Sequence, residues 1–82
     1  MERTFALEVE ATTGATGEPV PRRFTLGTRS VEVADLLDRW PGPDHSYVKL
    51  RGADGATYIL RHDEGTGAWQ LVQFIRAGLE FG

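Results

Sequence analysis

The chain has 82 residues, of which 40% are hydrophobic and 26% charged, with a net charge of −3 and no cysteine. So short a chain makes one domain with a thin core, because it buries only about 60% of the surface its unfolded form exposes. The composition excludes wholesale disorder. The missing cysteines exclude a disulfide framework, a thiolate metal site and a cysteine nucleophile.

No apolar run approaches the ~20 residues that a membrane-spanning helix needs, so no membrane role is expected. The opening Met1-Glu2-Arg3-Thr4 has no basic segment followed by an apolar one, which predicts no secretory leader. With the lack of cysteine, this points to a bacterial-type cytoplasm. Acidity gathers in residues 1–21, where Glu2, Glu8, Glu10 and Glu18 face Arg3 alone. The isoelectric point is about 5.2. Proteins that live on phosphate backbones carry a basic stripe, so nucleic acid is not the expected partner.

In chain order, Phe5, Leu7, Val9 and Ala11 alternate with Ala6, Glu8 and Glu10, the period-two pattern of a half-buried strand. Thr12–Pro21, with two glycines and two prolines, reads as a long flexible loop. Residues 1–21 are therefore expected to form an N-terminal strand and linker, with a β core over 22–76 and a frayed tail over 77–82. Such a tethered strand can dock on its own sheet or exchange with a second chain. A monomer is expected, with a strand-exchanged dimer as the alternative.

Phe24 and Leu26 mark the next strand. Arg29–Trp40 reads either as a strand with a bulge or bend near Leu36–Leu37, or as a strand running into a short helix over 34–40 that ends before Pro41. Tyr47–Arg51 and Thr57–His62 flank Asp54-Gly55, the signature of a type I′ hairpin turn. Ala68–Ile75, rich in aromatic and β-branched residues, is the last strand. The fold class is mainly β: a small five- to six-stranded SH3-like barrel or strongly curved antiparallel sheet. The alternative is α+β with the helix at 34–40.

A two-residue turn at Asp54-Gly55 sets Leu50 opposite Ile59 and Arg51 opposite Tyr58. One face then holds Val48, Leu50, Ile59 and the lone charge Arg61, and reads as core. The other holds Tyr47, Lys49, Arg51, Tyr58, Leu60 and His62. Its candidate binding residues are Tyr47, Lys49, Arg51, Tyr58 and His62, since aromatic groups interleaved with cations suit base stacking or an anionic partner. The plainer reading is that Lys and Arg stems cover Tyr rings on a solvated sheet face.

Two histidines, His45 and His62, are too few for an ordinary zinc site, so neither a metal nor another cofactor is expected. Glu32, Asp35 and Asp38 beside Arg29 and Arg39 read as local surface ion pairs. No serine or threonine has the setting of an activated nucleophile, and no phosphate-cradling glycine loop is present. No catalytic residue emerges. Trp69, followed by Leu71, reads as core. Trp40, beside a Pro-Gly-Pro turn, leans less firmly that way.

From Arg22 to about residue 74, the chain resembles a group of small bacterial β-domain proteins to which no role is assigned. The residues that carry the resemblance are Arg23-Phe24 with Leu26, Val31 and Val33, Leu37-Asp38-Arg39-Trp40, Tyr47, Lys49 and Arg51, Asp54-Gly55, Tyr58-Ile59-Leu60-Arg61, and Trp69 with Leu71. The resemblance implies a compact β domain and carries over no site residue. The leading functional expectation is a non-catalytic protein-binding or accessory module. A nucleic-acid-associated small barrel comes second, and an enzyme or enzyme subunit last.

Overall fold

The structure is a computed structural model that describes residues 5–75. Six antiparallel strands close into a barrel in the order β1-β2-β3-β4-β5-β6, with β6 pairing back to β1. They are β1 (Phe5–Thr13), β2 (Pro19–Leu26), β3 (Arg29–Pro41), β4 (His45–Gly52), β5 (Thr57–Asp63) and β6 (Trp69–Ile75). Closure removes the bare edges that a flat sheet of this size would present. The expected tail over 77–82 lies outside the described residues. Among the described residues, no helix is long and apolar enough to cross a membrane.

The connection after β1 is shorter than its glycine and proline content suggests. Thr12 pairs with Val20 and Thr13 with Pro19, so the loop is residues 14–18. It closes through Gly14 N–H donating to the Glu18 carbonyl at 2.7 Å. Hydrogen bonds with Thr16 hold the exposed Glu18 carboxyl below its ordinary value. The two prolines lie inside β2. A β-bulge makes room for them: Glu10 pairs with Arg23 and Ala11 with Pro21, leaving Arg22 as the extra residue. Proline survives in a strand at such a bulge, and along a stretch paired on one side only. Residues 19–21 pair with β1 alone, whereas β2–β3 pairing is confined to Arg23–Leu26 against Arg29–Glu32.

β3 is strand throughout, and the helical alternative over 34–40 does not occur. Its register against β4 shifts at Ala34 and again at Leu37. The second bulge is where the Leu36–Leu37 pair suggests one. Two bulges let a 13-residue strand bend, pairing with β2 over its first residues and with β4 over the rest.

The core is built by alternation. Leu7, Phe24 and Val31 enter from β1, β2 and β3, Val48 and Leu50 from β4, Tyr58 and Leu60 from β5, and Trp69 and Leu71 from β6. Val9, Leu26 and Val33 pack against this cluster. Phe24 meets Tyr58 edge to face at 4.9 Å, a favoured aromatic geometry.

The β4–β5 turn differs from a type I′ turn. Gly52 N–H donates to the Ala56 carbonyl at 2.9 Å, enclosing three residues. Asp54 has a negative φ and only Gly55 is left-handed, at φ +88°. This is the pattern of a three-residue loop ending in a G1 bulge. It moves the register by one: Leu50 pairs with Tyr58, Lys49 with Ile59, Val48 with Leu60 and Tyr47 with Arg61. A one-residue slip exchanges the faces of a strand. Tyr58 is therefore core rather than surface, and Ile59 and Arg61 are outside rather than core.

Candidate functional site

The inner end of the hairpin is a closed polar network. Tyr58 is 1% exposed, and its hydroxyl donates to Asp54 Oδ2 at 2.7 Å. Arg29 Nη2 donates to the same oxygen at 2.7 Å, and Ala56 N–H donates to Oδ1 at 3.0 Å. Gly52 lets these groups pack close to the backbone: a Cβ there would lie 2.6 Å from Asp54 Oδ1 and 3.0 Å from Tyr58 Cε1.

Burial pushes the Tyr58 hydroxyl up to about 12, helped by its hydrogen bond to Asp54. Partial burial pulls the Asp54 carboxyl upward, but the bonds from Tyr58 and Ala56 and the Arg29 charge outweigh it and hold the group below its ordinary value. The Tyr58 hydroxyl and both Asp54 carboxylate oxygens have partners within the chain, which suits a structural lock.

The outer wall of β3, β4 and β5 is different. Register aligns Trp40, Tyr47, Arg61 and Gln70 in one row across four strands. Neighbours in such a row stand roughly 4.5–5.5 Å apart at Cβ. Trp40 is 44% exposed, so it is surface, against the leaning from sequence. The Tyr47 ring lies 5.3 Å from that of His45, and His45 Nδ1 is 3.1 Å from Asp44 Oδ1. A second row holds Asp38, Lys49 and Ile59. Arg51 reaches Asp35 at 3.8 Å.

Of the residues singled out from sequence, Tyr47, Lys49 and Arg51 do share this wall. Tyr58 and His62 leave it. His62 faces the barrel interior and packs on Trp69 with ring centroids 4.3 Å apart, and its Nδ1 is buried without a hydrogen-bond partner. His45 and His62 thus occupy opposite faces of the hairpin. Among the described residues, no group of three His, Asp or Glu side chains converges as metal ligands would.

Sequence reasoning missed Trp40 and Arg61 as members of the wall. A signal for Arg61 existed. Its place as a lone charge on an otherwise apolar face was anomalous, because a buried unpaired charge is heavily penalised.

Arg61 Nε is buried and has no hydrogen-bond partner, and neither Lys49 nor Arg61 has an ion-pair partner among the described residues. The remaining described basic side chains are engaged. Arg22 donates to Thr12 Oγ1 and Arg23 to Glu32. Arg29 holds Asp54 and Arg51 holds Asp35. Arg39 Nη2 donates to the Pro19 carbonyl at 2.7 Å, across the unpaired part of the β2–β3 seam.

The arrangement defines a small closed antiparallel barrel with an aromatic and cationic outer wall. No family model, curated protein or solved structure matches the chain.

Proposed function

We propose that the protein is a non-catalytic binding or accessory module of a bacterial cytoplasm, an SH3-like barrel that docks another protein on the outer wall of β3–β5. The observation that carries this reading is Trp40. It stands 44% exposed in register with Tyr47 and Arg61, and Trp, Tyr and Arg are the residue types on which interface energy concentrates.

The separation of His45 from His62 and the fully partnered Asp54 network argue against an acid–base centre. The nucleic-acid reading draws on the same aromatic groups, but Arg22 lies on β2, away from Lys49 and Arg61, so the basic residues form no continuous stripe.

A photo-crosslinking residue placed at position 40, in the full chain expressed in its native cells, should capture a polypeptide. The same residue at position 10, on the exposed face of β1, should not. Absence of polypeptide adducts from position 40, or adducts to nucleic acid alone, would overturn the reading.

A further inference from the structure

We propose that Lys49 and Arg61, framed by Trp40 and Tyr47, form a receptor for the side-chain carboxylates of an acidic peptide segment, an inference that rests on the docking reading above. Three observations converge on it.

The first is the state of Arg61. A half-buried arginine whose Nε is out of water and unbonded has lost hydration at that atom without gaining a hydrogen bond, and the carboxylate that feels its charge, Asp63, forms no ion pair with it. Its fork of donors is suited to a carboxylate, which accepts two parallel N–H bonds.

The second is Lys49. It stands two residues along β4 from Tyr47, the register partner of Arg61, so the two cations are diagonal neighbours on one face. Asp38, which opposes Lys49 across β3–β4, turns Oδ1 onto the Arg39 backbone N–H at 2.8 Å instead of pairing with the ammonium. Arg51, the third cation of the wall, is occupied by Asp35.

The third is the frame. Trp40 and Tyr47 supply rigid aromatic area in the row that holds Arg61, so a peptide with two closely spaced acids would set them on the neighbouring cations and lay an adjacent apolar residue on the rings to one side. Two free cations match a short acidic motif better than a phosphate chain, because polyanion binding draws its strength from many contacts at once. Asp38 and Asp44, on or beside the wall, repel a continuous polyanion while a discrete carboxylate can avoid them.

The test is a panel of blocked hexapeptides in which two closely spaced Glu residues stand next to one apolar or aromatic residue. Each is paired with a twin carrying Gln for Glu, and a ten-residue oligothymidylate serves as the competing polyanion. Binding to the full chain is followed by NMR on the Arg61 Nε–H and the Trp40 indole N–H.

At least one Glu peptide should shift both signals and bind roughly ten-fold tighter than its Gln twin. R61Q and K49Q should each weaken it at least about five-fold, with amide signals of the inner face unchanged. Equal binding of the Gln twin would overturn the carboxylate receptor while leaving docking at position 40 intact. Failure of every Glu peptide would overturn it too, and the crosslink from position 40 then judges the docking reading separately. Tighter binding of the oligothymidylate through the same two signals would overturn it in favour of nucleic acid.

Discussion

The two sides of the β4–β5 hairpin carry similar residue types and handle them in opposite ways. Inside, Tyr58 is sealed by Phe24 and its hydroxyl is fixed on Asp54, which also takes Arg29 and the Ala56 N–H. Outside, Tyr47 stands between an exposed Trp40 and an Arg61 whose Nε has no partner. The inner tyrosine belongs to a network complete within the chain. The outer one belongs to a row that an external group could complete. Stability should therefore reside in the inner set and binding in the outer, and substitutions on the two sides should separate the two properties.

The largest effect is expected at Tyr58. Tyr58→Ala removes a fully buried ring and leaves a cavity, which costs about 3–5 kcal/mol for large aromatic truncations. In a domain this small, that approaches the whole folding free energy. Chemical denaturation should find the variant unfolded or nearly so, whereas Trp40→Ala should shift the midpoint far less. Comparable losses at the two positions would abolish the distinction between the faces.

Gly55→Val should come next. Its φ of +88° lies in the left-handed region, which a β-branched residue resists, so the loss should be on the order of 1–3 kcal/mol. Thermal melting reads this directly, and an unchanged midpoint would mean that the turn relaxes into another form.

The inner network should also make stability depend on pH in two windows. Tyr58 binds its proton more tightly when folded. That stabilisation is complete below the unfolded value of 10.0 and is lost as pH rises to about 12, a loss of roughly 2 kcal/mol by the upper end. Tyr58→Phe should abolish this alkaline loss. Asp54 behaves in the reverse sense. Its folded carboxyl sits below the ordinary value of 3.8, so its contribution is present above that pH and fades as pH falls through the folded value. Denaturation midpoints between pH 2 and 12 should show both declines, and a flat alkaline limb in the unsubstituted chain would mean that the Tyr58 hydroxyl is neither buried nor tied to Asp54.

How legible this arrangement was in the sequence depends on which physical signal each part left. Alternation in Phe5–Ala11 marked β1, and the Leu36–Leu37 pair marked a bulge, because period-two patterning must break where two adjacent apolar residues occur. The Asp54-Gly55 pair located the hairpin correctly but left its loop length open. Type I′ and three-residue G1 loops both want glycine at that point, and the difference of one residue exchanged Tyr58 for Ile59 and Leu60 for Arg61 across the sheet. Prolines at 19 and 21 suggested a loop because proline cannot donate to a ladder. The bulge at Arg22 that admits them leaves no local mark. Tyr47, Lys49 and Arg51 were found because β4 faces are fixed by its own alternation, whatever the register of β5.

The smallest stability effect is expected at Arg61, and it sharpens the comparison most. If Arg61 belonged to the structural set, its removal would break bonds and expose partners. Instead, Arg61 makes no ion pair among the described residues, and its Nε is buried and unbonded. Leaving a buried donor unsatisfied costs about 1–3 kcal/mol, so Arg61→Met, which keeps most of the aliphatic stem and deletes that donor, removes a penalty as well as some packing. The two nearly cancel, and the change should fall within about 0.5 kcal/mol of zero, the usual range for surface positions without structural partners. Urea denaturation of the variant beside Tyr58→Ala measures this on one scale. A loss above about 1 kcal/mol would show that Arg61 is bonded within the fold in solution, and the outer row would then be a second structural network instead of a surface kept open for a partner.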